Sequence, residues 1–223
     1  MALFKKILIL AKGGTHGDFL YSCCHLMAYN KKGIVNGHGA VIENSKFKRN
    51  NLQTYYKGIK NVSTFNNMQS IEVCHIWQEE FKTLSANFYY IHYNDQQIDI
   101  IKKMFLEKVF KNNIELAIEN KKKYLPDALA KKITKDNIDK ILTVSYKNTI
   151  KKYRQQSNIK AINITDLYNF DSLVAILKDM NIYNPTKSNE LKEFHNEWMD
   201  KNMKYITEML SVKTYNKLDK YSK

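Results

Sequence analysis

Apolar positions along the chain switch repeatedly between the period of a buried strand and that of a helix. Ile7-Leu8-Ile9-Leu10-Ala11 is a short continuous apolar run, the pattern of a strand covered on both faces of a parallel sheet. Phe19, Leu20, Cys23, Cys24, Met27 and Ala28 follow at helical spacing. Ser70 to Trp77 reads as a second core strand, residues 78–86 as a short helix, and Phe88 to Tyr93 as the clearest strand after the first. Asn94-Asp95 then starts a helix in which Ile98, Ile101, Phe105 and Val109 recur, continued over 112–123 to the lysine run 121–123. Pro126 marks a break. A helix over 136–156 turns Ile138, Ile141, Leu142, Ile150 and Tyr153 inward, and residues 159–165 alternate like a strand. Phe170, Leu173, Val174, Leu177 and Met180 define a short amphipathic helix capped by Asn169 or Asp171. Past the Asn184-Pro185 turn, Leu191, Phe194, Trp198, Tyr205 and Met209 line a final helix.

Strands separated by helices predict an α/β fold: three layers, with a mostly parallel sheet and helices on both faces. At 223 residues the chain fits a single α/β domain over 1–223. A polar, glycine-bearing excursion at about 33–70, with a short strand at Ala40-Val41-Ile42, reads as a lid or substrate-side insertion. A helical segment occupies about 95–156.

Composition narrows the classes. No apolar run of ~18 residues occurs, so no membrane span is expected, and the amino-terminal pattern lacks the core of a signal peptide. A cytoplasmic location is expected, that of the host cell if the protein is viral, with virion association as the alternative. Cys23, Cys24 and Cys74 form neither a disulfide framework nor a zinc pattern. The net charge of +14 is concentrated in residues 101–160, which carry 16 basic and 6 acidic side chains. Such a segment attracts nucleic acid, an anionic polysaccharide or an acidic protein. Arg49 and Arg154 are the only arginines, which argues for a solvated lysine face over groove recognition.

The chemistry concentrates in Lys12-Gly13-Gly14-Thr15-His16-Gly17, between the first strand and the first helix. Glycines let the backbone approach an anion, and the first N–H groups of a helix point at it with the dipole behind them. The turn matches neither G-x-x-x-x-G-K-[ST] nor G-x-G-x-x-G. It resembles the 5′-phosphosulfate loop of the sulfotransferases, where Lys-x-Gly-Thr-x opens the first helix; Lys12, Gly14, Thr15 and His16 stand in the matching places. The GGTHGDFL run also resembles small sulfotransferase-like P-loop proteins of viruses and marine bacteria. The final strand, short helix, proline turn and long helix carrying FHNEW are similar to the carboxyl-terminal half of that group.

The resemblance implies a P-loop fold and transfer of a sulfuryl group from 3′-phosphoadenosine 5′-phosphosulfate to a hydroxyl of a saccharide or small molecule. Lys12 would then carry charge on the transferred oxygens, and Gly13, Gly14, Thr15, His16 and Gly17 would hold the anionic nucleotide. His75 is the candidate general base and His38 the runner-up; His25, His92 and His195 read as structural. Asp18 opposes a bound phosphate unless it points away. The Arg and Ser that sulfotransferases set on the 3′-phosphate have no counterpart at Asn94-Asp95-Gln96-Gln97, leaving Lys102, Lys103, Arg154 or Lys160 as substitutes. Two rival readings stand beside this one. One is a viral or phage accessory protein, virion-associated or bound to a viral partner, that keeps the fold without catalysis. The other is a nucleotide or nucleic-acid kinase-like enzyme with Asp166 on magnesium. No metal-ligand cluster is readable.

Overall fold

A computed structural model describes residues 6–29, 33–35, 41–43, 71–74, 85–122 and 131–212. In chain order these form β1 (Lys6–Leu10), α1 (Gly17–Tyr29), β2 (Gly33–Val35), β3 (Val41–Glu43), β4 (Ile71–Cys74) and β5 (Ala86–His92). Next come α2 (Gln97–Phe110), α3 (Ile114–Lys122), α4 (Ile138–Arg154), β6 (Ile159–Asn163), α5 (Phe170–Asp179) and α6 (Ser188–Ser211). Short 3₁₀ turns at Ile164–Tyr168 and Pro185–Lys187 precede α5 and α6.

The protein is α/β. Four strands make a parallel sheet in the order β4-β1-β5-β6. β1 lies inside it, and Ile7 to Leu10 are fully buried, as a continuous apolar run requires. Neighbouring residues of β5 face opposite ways. The Tyr89 hydroxyl donates to the Asp179 carboxylate of α5 at 3.2 Å, whereas the Tyr90 ring meets Tyr153 of α4 at 5.7 Å. Helices therefore pack on both faces. Cys24 of α1 and Met180 bring their sulfurs to 3.6 Å on the Tyr89 side, and Phe19 of α1 stacks on Trp198 of α6 at 3.7 Å. Both cysteines of α1 are buried, and burial raises both thiol pKa values.

Local chemistry explains the element ends. Asn94 and Gln97 exchange bonds, Gln97 N–H to Asn94 Oδ1 at 2.9 Å and Asn94 N–H to Gln97 Oε1 at 2.8 Å, a reciprocal cap that starts α2. The predicted continuation from α2 through 112–123 is interrupted. Lys111 and Asn112 take left-handed φ of 50° and 61°, and the Asn112 N–H closes back on the Leu106 carbonyl. Asn113 then caps α3 by accepting from the Leu116 N–H at 3.0 Å. The strand expected over 159–165 ends at Asn163, whose side chain accepts from the Thr165 N–H and turns the chain into a 3₁₀ segment. Asn169 caps α5 through the Ser172 N–H.

Within the expected excursion, β2 and β3 pair as an antiparallel two-stranded ribbon. The helix expected over 78–86 falls mostly outside the described residues, as do residues 75–77 of the second strand. Among the described residues, no helix is long and apolar enough to cross a membrane.

Candidate functional site

From β1 the chain proceeds to β4 on one side of it and then to β5 on the other. Parallel sheets bind ligands beyond the carboxyl ends of strands at such a reversal. The Lys12–Gly17 turn follows β1 there, and the cap at Asn94–Gln97 follows β5 beside it.

The turn is closed by its own bonds. Lys12 O accepts from the Thr15 N–H at 3.0 Å and from the Thr15 hydroxyl at 2.6 Å. Gly14 has φ +83° and His16 φ +61°, a conformation in which a non-glycine residue is uncommon. His16 O accepts from the N–H groups of Phe19 and Leu20, starting α1. A Cβ built on Gly17 would lie 2.1 Å from the Ala11 Cβ, so the glycine lets the helix start press against the end of β1.

Other elements hold the turn from outside. A Cβ on Gly13 would lie 2.7 Å from the Phe105 ring, and one on Gly14 would lie 3.0 Å from Ile101 O. Both neighbours belong to α2, which covers this side of the turn. The Tyr146 hydroxyl of α4 donates to Gly13 O at 2.5 Å, and Tyr146 O accepts from the Tyr93 hydroxyl at 3.2 Å. Burial raises the Tyr146 hydroxyl pKa, so it remains a donor. Lys12 is partly exposed, with Nζ 5.9 Å from the centroid of the Tyr146 ring.

Lys12, Gly13 and Gly14 are partly exposed, whereas Thr15, His16 and Gly17 are buried. Thr15 has its hydroxyl proton engaged by Lys12 O. His16 lies edge-on to Trp198 at 4.9 Å and to Tyr168 at 5.7 Å. Burial, and then the charge of Lys108, hold its pKa down to about 3, so the imidazole is neutral at physiological pH.

His75 and His38 lie outside the described residues. His25 packs its ring on Tyr21 at 4.3 Å. His195 is buried, with Nε2 3.0 Å from Leu167 O. His92 sits 3.3 Å from an Arg154 nitrogen, and burial, followed by that arginine, lowers its pKa to about 4.

The four suggested 3′-phosphate substitutes have partners of their own. Lys102 Nζ bonds Asp139 and Thr143 at 2.7 Å and Asp99 at 2.9 Å. Burial alone would lower its pKa, but the bonds to Asp139 and Asp99 outweigh burial and raise it. Lys103 pairs with Glu208 and Lys160 with Asp179, while Arg154 meets His92. Asp166 follows β6 in the 3₁₀ turn, where burial raises its pKa. Among the described residues, no group of three His, Cys, Asp or Glu side chains is placed to hold a metal ion.

Residue order alone does not mark Tyr146 and Lys108 as neighbours of the turn. Tyr146 shares the buried stripe Ile138, Leu142, Tyr146, Ile150 of α4, so its burial was readable from spacing. Lys108 looks like any other lysine of α2. Its distinction is spatial: its charge acts on His16, and its amine bonds the neutral amide of Asn202.

Comparison with protein-family models, with curated proteins and with solved structures finds no match to this chain.

Proposed function

We propose that the protein is a sulfotransferase-like enzyme that holds the phosphosulfate of 3′-phosphoadenosine 5′-phosphosulfate at the Lys12–Gly17 turn. The acceptor is a hydroxyl of a saccharide or small molecule. The observation that carries this reading is the position of the turn, at the carboxyl end of an interior parallel strand where the chain direction reverses, with a partly exposed lysine at its start. That donor set suits a tetrahedral oxyanion: an ammonium from Lys12 and main-chain N–H groups at the start of α1.

The nucleotide, when bound, supplies an activated sulfuryl group. In transfer, the bond from sulfur to the phosphate oxygen breaks as the bond to the acceptor oxygen forms, and the acceptor proton passes to a base. Lys12 balances charge gathering on the leaving phosphate, and the turn holds the group for in-line attack. His75 is the proposed base and His38 the alternative. Tyr146 fixes the Gly13 carbonyl, which sets the orientation of the Gly13–Gly14 peptide and of the Gly14 N–H opposite it.

Calorimetry with 3′-phosphoadenosine 5′-phosphate tests the site. Saturable binding is expected, with at least tenfold weaker affinity in Lys12→Ala, the scale of one charge-assisted bond. A folded sample that binds nothing at millimolar nucleotide would remove the enzyme reading.

A second reading is favoured by a separate observation. The Thr15 proton is engaged internally, His16 is enclosed, and Phe105 and Ile101 press on the glycines. A turn built this way also serves as packing in an accessory protein that keeps the fold without catalysis, bound to a viral partner or to the virion. That protein would show no sulfuryl turnover and would co-purify with particles or with one partner chain.

A further inference from the structure

The side of the turn that faces α6 gathers polar atoms that lack partners. His16 Nε2, Trp198 Nε1 and the Tyr168 hydroxyl are all buried, and none has a hydrogen-bond partner among the described residues. Their residues are 6%, 0% and 7% exposed, and folded proteins rarely leave such groups unpaired. The three rings that carry them adjoin one another. His16 lies 4.9 Å from Trp198 and 5.7 Å from Tyr168, and Tyr168 lies 5.9 Å from Trp198.

A charge stands beside them. Lys108 follows Ile101 and Phe105 on the same face of α2, at the spacing that carries the helix along the turn towards His16. Its amine bonds Asn202 Oδ1, and the Asn202 amide in turn donates to Trp198 O at 2.7 Å. The other two lysines of α2, Lys102 and Lys103, are paired with carboxylates, whereas the bonded partner of Lys108 is neutral. Burial pulls the Lys108 amine down to about 8, with Glu107 offsetting only part of the effect. An ammonium keeps two further protons after bonding Asn202, the indole is donor only, and the phenol has a proton to give. The set is desolvated and has more donors than acceptors, and the complementary ligand is an anion with several oxygens.

We propose that Lys108, Trp198 and Tyr168, beside His16, form a second oxyanion subsite on the α6 side of the turn, and that its ligand is a sulfate or phosphate group. The subsite deepens the reading of the turn as an oxyanion site and rests on it for the place of the ligand, but its test is separate. The neutral His16 ring adds a bond as donor or acceptor according to its tautomer. Entry is from the Lys108 side, where the lysine is partly exposed.

The experiment follows the Trp198 indole N–H resonance, assigned with a Trp77→Phe chain, as sodium sulfate is added against sodium chloride of equal ionic strength. A saturable, sulfate-specific shift is expected, with affinity lowered about tenfold or more in Lys108→Met and several-fold in Tyr168→Phe. If Lys108→Met fails to fold, Tyr168→Phe carries the comparison. A Lys12→Ala chain that loses the nucleotide but keeps the sulfate response places the anion at the second subsite alone. Saturation at lower concentration by 3′-phosphoadenosine 5′-phosphate than by sulfate assigns the group to the nucleotide. An indole resonance that moves equally with chloride, or with neither salt, overturns the proposal and leaves bound water as the partner of these atoms.

Discussion

Gly17 and His16 adjoin in the chain and meet opposite demands. Gly17 has no room for a methyl group, because Ala11 already occupies the space a Cβ would need. Gly17→Ala should destabilise the protein by about 2–3 kcal/mol in urea unfolding, as overpacking does. Ala11→Gly in the same chain should recover much of that loss by vacating the space. His16 is held neutral by burial, with a pKa of about 3 against 6.5 when unfolded. The unfolded chain therefore takes up a proton that the folded chain refuses. The contribution is unchanged above about pH 6.5 and is lost as pH falls towards 3, by about 2 kcal/mol between pH 6.5 and 5. Urea titrations at pH 7 and pH 5 measure this, and His16→Asn, which tolerates the left-handed φ, should flatten the difference. The sequence marks Lys12, Gly14 and Thr15 through their order in the turn. It does not show that Thr15 bonds back to Lys12 or that His16 turns into a cage of Trp198 and Tyr168, because those rings come from residues far along the chain.

α2 carries the link between stability and the site. It lies on the glycines through Ile101 and Phe105, and ion pairs tie it to α4, from Lys102 to Asp139, and to α6, from Glu107 to Lys204. Lys102 is 5% exposed, so its charge depends on the Asp99 and Asp139 carboxylates. Removing both acids, as Asp99→Asn with Asp139→Asn, should cost about 2–3 kcal/mol, a value discounted because the acids themselves are exposed. Lys102→Met should be nearly neutral, since the desolvation goes with the charge. Chemical denaturation of the three chains checks the asymmetry; equal losses would contradict it. Much at this scale was legible. The buried run of β1, the periodicity of α1, α4, α5 and α6, and the Asn169 cap all follow from residue order. The break at Lys111–Asn112 was not, because the apolar period runs on through residues whose backbone leaves the helix. Asn163 ended β6 early by side-chain bonding that a strand pattern conceals.

Across the whole molecule, the basic excess of residues 101–160 is partly answered by acids from elsewhere. Lys147 pairs with Asp95, and Lys103 with Glu208. Lys135 also pairs with Glu115 inside the segment. With Arg49 and Arg154 as the only arginines, affinity for DNA should be weak, indifferent to sequence and steeply salt-dependent. Fluorescence anisotropy with a mixed-sequence duplex at about 50 and 200 mM salt should show binding largely lost at the higher value. Sequence-selective binding that survives the higher salt would assign the charge a recognition role. The layering of helices on a parallel sheet was readable from alternating strand and helix periods. The strand order was not, and it is this order that sets the turn at a reversal of chain direction. The most direct test is a crystal structure of the protein with 3′-phosphoadenosine 5′-phosphate. A phosphate is expected within hydrogen-bond reach of Lys12 Nζ and the Gly14 N–H. A nucleotide bound elsewhere, or a turn closed over by Phe105 with the ligand excluded, would contradict it.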